Sequence, residues 1–130
     1  MSKYSDTIYA LSTPPGKSAI AVIRVSGKKV LKIFKQITKK RKITPNKTNL
    51  VFLKKKDALI DQVLVIYFKS PNSFTGEDVL EINCHGGLAV IDKIYKTLED
   101  VGARLAEPGE FTKRALLNNK IDLVKTESTS

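Results

Sequence analysis

Two short stretches constrain this chain more than any other feature of its sequence. Ala19–Val25 is apolar and β-branched, with one charge, Arg24, inside it. Val79–Cys84 alternates side chains around a single carboxylate, Glu81. Both have the length of buried strands. In the first, Arg24 shares a face with Ile20 and Val22. In the second, Leu80, Ile82 and Cys84 share one face, and Val79, Glu81 and Asn83 the other. A charge in the middle of an apolar strand is costly to bury unless it is paired or held by a ligand. Two readings follow. One is an internal Arg24–Glu81 ion pair. The other is a polar pocket in which the carboxylate accepts from adjacent N–H donors and the cation meets an acid or carbonyl.

The rest of the pattern builds an α+β domain around these strands. Thr7–Leu11 reads as a short strand, and Thr13-Pro14-Pro15-Gly16 as a turn. Ser26 is a candidate N-cap for a helix through Ile37, with Val30, Phe34 and Ile37 on one face. Leu50–Leu53 and Gln62–Phe68 read as a hairpin-like pair whose connection, Lys54–Asp61, has no predicted form. A second helix follows Gly86-Gly87, carries Ile91, Ile94, Leu98 and Val101 at helical spacing and stops at Gly102. Ala103–Ala106 is a brief strand. A last helix runs to about Asn118, with Pro108 in its first turn and Glu110 at its positive end. Mixed strands and helices without strict alternation predict a mixed or antiparallel sheet with about three helices.

Length and composition narrow the classes. One domain accounts for 130 residues, and 42% hydrophobic residues are enough for a core. No signal peptide is visible, and the longest apolar run, Val63–Phe68, is far too short to span a bilayer, so a cytoplasmic protein is expected. One Cys and one His exclude both an intrachain disulfide and a Cys/His zinc cluster. The net charge is +10 and unevenly placed: Lys28–Lys56 holds twelve basic residues and no acidic one. That favours a polyanion such as RNA or an acidic membrane, or simply a solvated lysine face; 19 of the 23 basic residues are Lys rather than the Arg preferred at nucleic-acid sites.

Three short motifs carry no chemistry. Gly16-Lys17-Ser18 lacks the leading glycine of a phosphate-binding loop, since position 11 is Leu, and a strand rather than a helix follows it. Asn119-Lys120-Ile121-Asp122 matches the guanine-reading pattern of G domains, but no phosphate loop precedes it. Cys84 and His85 are neighbours on a strand and point to opposite faces, which reads as a core thiol followed by a turn.

Longer motifs do carry information. Asp6-Thr7-Ile8, Thr13-Pro14-Pro15-Gly16 and Ile23-Arg24-Val25-Ser26-Gly27 stand in order ahead of Pro71-Asn72-Ser73-Phe74-Thr75-Gly76-Glu77-Asp78-Val79-Leu80-Glu81. His85-Gly86-Gly87 and Pro108-Gly109-Glu110-Phe111-Thr112-Lys113-Arg114-Ala115 follow, then Asn118, Lys120, Asp122 and Leu123. Over roughly residues 5–127 this series resembles the N-terminal domain of the tRNA-modification GTPase family MnmE, also called TrmE. Asn119 and Leu116 stand where Gly and Phe are frequent.

The resemblance implies a fold similar to the tetrahydrofolate-binding domain of glycine-cleavage aminomethyltransferases. It also implies a homodimer and binding of 5-formyl-tetrahydrofolate near the twofold contact. Carried over by position, the folate contacts fall on Arg24, Glu81 and Lys120, with no catalytic residue and no metal ligand. Lys120 rests on the resemblance alone. In the full-length family a helical domain follows with a G domain inserted in it, which binds GTP, potassium and magnesium. With a flavin-dependent partner, MnmG, the family modifies the wobble uridine (U34) of certain tRNAs. Residues 1–120 are thus expected to form the folate-binding domain and 121–130 to begin the helical one, with the G domain absent from this chain. The rival expectation is a lysine-rich tRNA- or RNA-binding module without folate. A third, an independent aminomethyltransferase, needs an acid or base at the folate that no unassigned Asp or Glu evidently supplies.

Overall fold

The computed structural model describes residues 6–12 and 20–118. The expected turn at Thr13–Gly16, the Gly16-Lys17-Ser18 motif, Lys120 and the Asn119–Asp122 pattern lie outside the described residues. Among the described residues six strands and three helices follow one another as β1 (Thr7–Leu11), β2 (Ile20–Ser26), α1 (Val30–Thr38), β3 (Thr48–Lys55), β4 (Ala58–Phe68), β5 (Val79–His85), α2 (Leu88–Asp100), β6 (Ala103–Leu105) and α3 (Glu110–Leu117). The strands form one sheet in the order β3-β4-β5-β2-β1-β6. All pairings are antiparallel except β1 with β6. The fold is therefore α+β with a mixed sheet, as the patterning predicts.

The two faces of the sheet differ. One carries Tyr9, Ala21, Ile23, Val25, Val51, Leu53, Val63, Val65, Tyr67, Leu80, Ile82 and Cys84, all buried. The apolar stripes of α1 (Val30, Ile33, Phe34, Ile37) and α2 (Ile91, Ile94, Leu98) complete that core. The opposite face carries Ile20, Leu50, Phe52 and Leu64, which are 43–56% exposed. The register places these four on one side, since Leu50 faces Leu64, Leu64 faces Asn83, and Asn83 faces Val22. Among the described residues no helix covers much of this second face.

Several boundaries differ from the sequence expectation, each for a local reason. Ser26 does not cap α1. It is the last residue of β2, paired with Ile8 and Val79, and its buried hydroxyl bonds to Thr75 Oγ1 and Glu77 Oε1, both at 2.7 Å. The chain turns at Gly27 (φ 145°), and α1 starts only at Val30. Thr7 Oγ1 accepts from the Lys29 N–H instead, at 3.0 Å. A side chain at Gly27 would meet the Thr7 backbone, its Cβ falling 2.7 Å from Thr7 Cα.

The Lys54–Asp61 connection is strand on both sides of a two-residue turn. Lys56 and Asp57 both have positive φ, 50° and 68°, and Lys55 pairs with Ala58. That geometry matches the twist of a hairpin. Pro108 precedes α3 rather than entering it. Gly109 (φ 77°) makes the turn, and Glu110 opens α3 at its positive end as expected, its carboxylate also accepting from Arg104 and from the Glu107 N–H. No helix among the described residues is long and apolar enough to cross a membrane.

Candidate functional site

β2 and β5 are central neighbours, and their register sets Arg24 directly across from Glu81. The row runs Thr48, Ile66, Glu81, Arg24, Ala10 across five strands, so the two charges stand in an otherwise uncharged line. Directly opposed residues in an antiparallel pair come close enough for their side chains to interact. Arg24 Nη2 and Nε donate to the same oxygen, Glu81 Oε2, at 3.0 and 3.3 Å. Both side chains keep about a quarter of their surface in water, 24% and 23%. Glu81 Oε1 has no partner among the described residues. The charges thus pair, as the first reading has it, and the pair keeps part of its surface in water.

Two aromatic rings complete the surroundings. The Arg24 guanidinium carbon lies 5.1 Å from the Phe74 ring centre and 6.0 Å from that of Phe111. Cations over ring faces at these distances are attracted by the ring quadrupole. Phe74 belongs to the loop Ser70–Gly76, which contains a cis Ser70–Pro71 bond, and is 46% exposed. Phe111 lies in the first turn of α3. Neither ring stands out by periodicity, because each is brought to Arg24 by tertiary structure. The only sequence signal was their membership of the two long motifs.

A network of five charged side chains fixes the elements that carry those rings. Arg114 of α3 is fully buried. Its Nη1 donates to the Asp6 carbonyl at 2.9 Å and to both Glu77 oxygens at 3.1 and 3.2 Å; its Nη2 donates to Asp6 Oδ1 at 2.7 Å and to Glu110 Oε2 at 3.3 Å. Arg104 of β6 donates to Asp6 and Glu110 as well. Hydrogen bonds from Arg104 foremost, and from the Glu107 N–H, pull the Glu110 carboxyl down to about 2 despite burial. Asn118 Nδ2 then donates to the Thr75 carbonyl at 2.9 Å, tying α3 to the loop that bears Phe74. The charge pattern alone did not mark this cluster, since its members come from four separate segments.

Cys84 is buried in the core, where burial above all, and the Asp61 charge, push its thiol up to about 11. His85 faces solvent on the other side, its Nδ1 2.9 Å from Asp61 Oδ1. The two do not meet, as strand alternation requires.

Comparison with known proteins adds a name to this geometry. The family model described as "GTP-binding protein TrmE N-terminus" matches residues 7–120. The "tRNA modification GTPase MnmE" of Fervidobacterium nodosum is 53% identical over 129 residues, covering 95% of this chain and 28% of that protein. Its counterpart in Pseudothermotoga lettingae is 54% identical over 125 residues, with the same two shares. That of Aliarcobacter butzleri is 50% identical over 127 residues, with 97% and 28%. The chain spans a little over a quarter of the length of these relatives.

Proposed function

Because the chain belongs to the MnmE (TrmE) family and corresponds to its N-terminal region, we propose that it is the folate-binding, dimerising module of a tRNA-modifying enzyme. The observation that carries the proposal is the half-open Arg24–Glu81 pair flanked by Phe74 and Phe111. A pterin presents a ring N–H beside an amino group, and a carboxylate accepts from both together. Glu81 does so with Oε1 and its remaining lone pairs while Arg24 holds Oε2 in place. Arg24, and Lys120 by resemblance, meet a carbonyl, the formyl oxygen or the glutamate tail of 5-formyl-tetrahydrofolate. The two rings offer flat apolar walls for the heterocycle.

Dimerisation fits the uncovered sheet face, where Ile20, Leu50, Phe52 and Leu64 leave apolar surface that a second copy would bury. In the full-length setting the module works in the cytoplasm on wobble uridine, together with an MnmG-type flavoprotein and a G domain that takes GTP, potassium and magnesium. Residues 121–130 then lead into a helical domain. The domain itself supplies binding rather than a catalytic acid or base.

Calorimetric titration of the parent chain and of Glu81→Ala with 5-formyl-tetrahydrofolate tests the ligand assignment. Loss of roughly tenfold or more in affinity is expected for a charge-assisted pair of bonds. Equal affinity in the two proteins removes Glu81 from the site. Light scattering of the parent at tens of micromolar tests the dimer, and a stable monomer there rejects it.

A further inference from the structure

The charge excess of this protein is a property of one segment. Lys28–Lys56 holds twelve basic residues and no acidic one, and the rest of the chain holds 11 basic and 13 acidic. In the fold this segment is α1, the loop after it and β3, the outermost strand, against which α1 packs. Ten of the twelve side chains are exposed and two, Lys54 and Lys55, are half-buried. Among the described residues only Lys55 has a carboxylate partner, Asp100 at 3.2 Å.

The lysines belong to one region and do not scatter over the molecule. Lys55 reaches the C-terminal end of α2 through Asp100, and Lys29 Nζ reaches the same end at Gly102. Beside the β3–β4 turn, Lys93 and Lys96 of α2, the latter paired with Asp92 at 3.1 Å, join Lys55 and Lys56 around a cleft of about 380 Å³. From this concentration of uncompensated charge we infer that α1, the Lys39–Lys47 loop and β3 form a docking surface for the phosphate backbone of a folded RNA.

Three features favour RNA backbone over other polyanionic partners. The positive charge runs from Lys28 and Lys29 ahead of α1, through Lys32 and Lys35 on it and five basic residues of the loop after it, to Lys54–Lys56 at the end of β3, which suits a partner with many spaced charges. Of the large apolar side chains of α1, Val30, Ile33, Phe34 and Ile37 are buried against the sheet and Leu31 is partly buried and packed on the same core. The helix therefore has no apolar side left for a bilayer, which interfacial helices need. Finally, the only aromatics of the segment are Phe34, which is buried, and Phe52, which lies on the opposite sheet face. Without a stacking platform the contact reads phosphates and not bases. The inference extends the RNA part of the function proposed above and is independent of the folate site.

The test is fluorescence anisotropy of a labelled, unmodified transfer RNA transcript titrated with the 130-residue chain across a series of potassium chloride concentrations. The probe should bind with an affinity that falls steeply with salt, because each neutralised phosphate releases a counterion. Replacing Lys32, Lys35, Lys40 and Lys42 by Gln should lower the log–log salt slope by about 3 and weaken binding roughly tenfold or more at low salt. Circular dichroism and the 5-formyl-tetrahydrofolate titration should match the parent. A second variant, Lys47, Lys54 and Lys56 to Gln, carries the test if the first does not fold. Salt-insensitive binding, an unchanged slope in a folded variant, or binding to phosphatidylserine vesicles but not to RNA each overturns the inference. A failed folate titration leaves it standing.

Discussion

Replacing Arg114 by Met should destabilise the domain by about 3 kcal/mol. The figure follows from what the substitution strands. Arg114 is 0% exposed and serves three carboxylates, those of Asp6, Glu77 and Glu110. Breaking a buried pair by removing one partner costs roughly 3–5 kcal/mol, because a charge is left without compensation. Here Asp6 and Glu110 retain Arg104. Glu77, 14% exposed, loses its only cationic partner among the described residues and keeps the Ser26 hydroxyl. One stranded carboxylate rather than three places the cost at the low end of the range. Against a total stability of about 5–15 kcal/mol the loss is large, and it lowers Tm by on the order of 10 °C.

Urea unfolding followed by far-UV circular dichroism measures it, since the chain has no Trp. The midpoint should fall with an unchanged m value. Adding Glu77→Gln to Arg114→Met should restore about 1 kcal/mol or more, as neighbours sharing one interaction do not add. A loss below about 1 kcal/mol, or no recovery in the double variant, refutes the idea that this cluster clamps α3 to the sheet.

The pH dependence of stability follows from Glu110. Its folded-state pKa, about 2, lies below the ordinary 4.5, so the unfolded chain binds the proton more readily. The contribution, about 3 kcal/mol at most for this nearly buried group, is fully present above pH 4.5 and is lost as the pH falls towards 2; Glu110→Gln should flatten the urea-midpoint profile in that window. Gly27→Ala should cost about 3 kcal/mol or more in the same assay, because its Cβ would press on the Thr7 backbone at a φ of 145°; a loss under about 1 kcal/mol contradicts the close approach. Native Cys84 should react with a disulfide reagent at pH 8 at least about a hundredfold more slowly than in denaturant, its thiol being buried and raised to about 11. Comparable rates would place the thiol at the surface.

What the sequence made legible divides by range. Strand alternation correctly sorted Ile82 and Cys84 from Glu81 and Asn83, and the lone charges Arg24 and Glu81 proved to face each other. Those inferences need only the period of a strand. The long motifs fixed the family over residues 7–120. Ser26 misled because Ser favours helix caps in general, whereas here a buried hydroxyl at a strand end finds Thr75 and Glu77. Lys56-Asp57 was opaque because the pair lacks the glycine that usually marks a tight hairpin. Phe74, Phe111 and the Arg114 cluster depend on contacts between segments up to 108 positions apart, which no local pattern encodes.

The two borders of the sheet are unequal in a way that bears on self-association. β6 exposes a backbone of only three residues. β3 exposes eight, but its pairing is interrupted between Leu53 and Lys54, and two lysines follow the irregularity. A stray strand from another molecule therefore finds too few hydrogen bonds at one border, and a bend with charge at the other. Edge-to-edge addition along the ladder direction is thereby disfavoured at both borders of the described sheet.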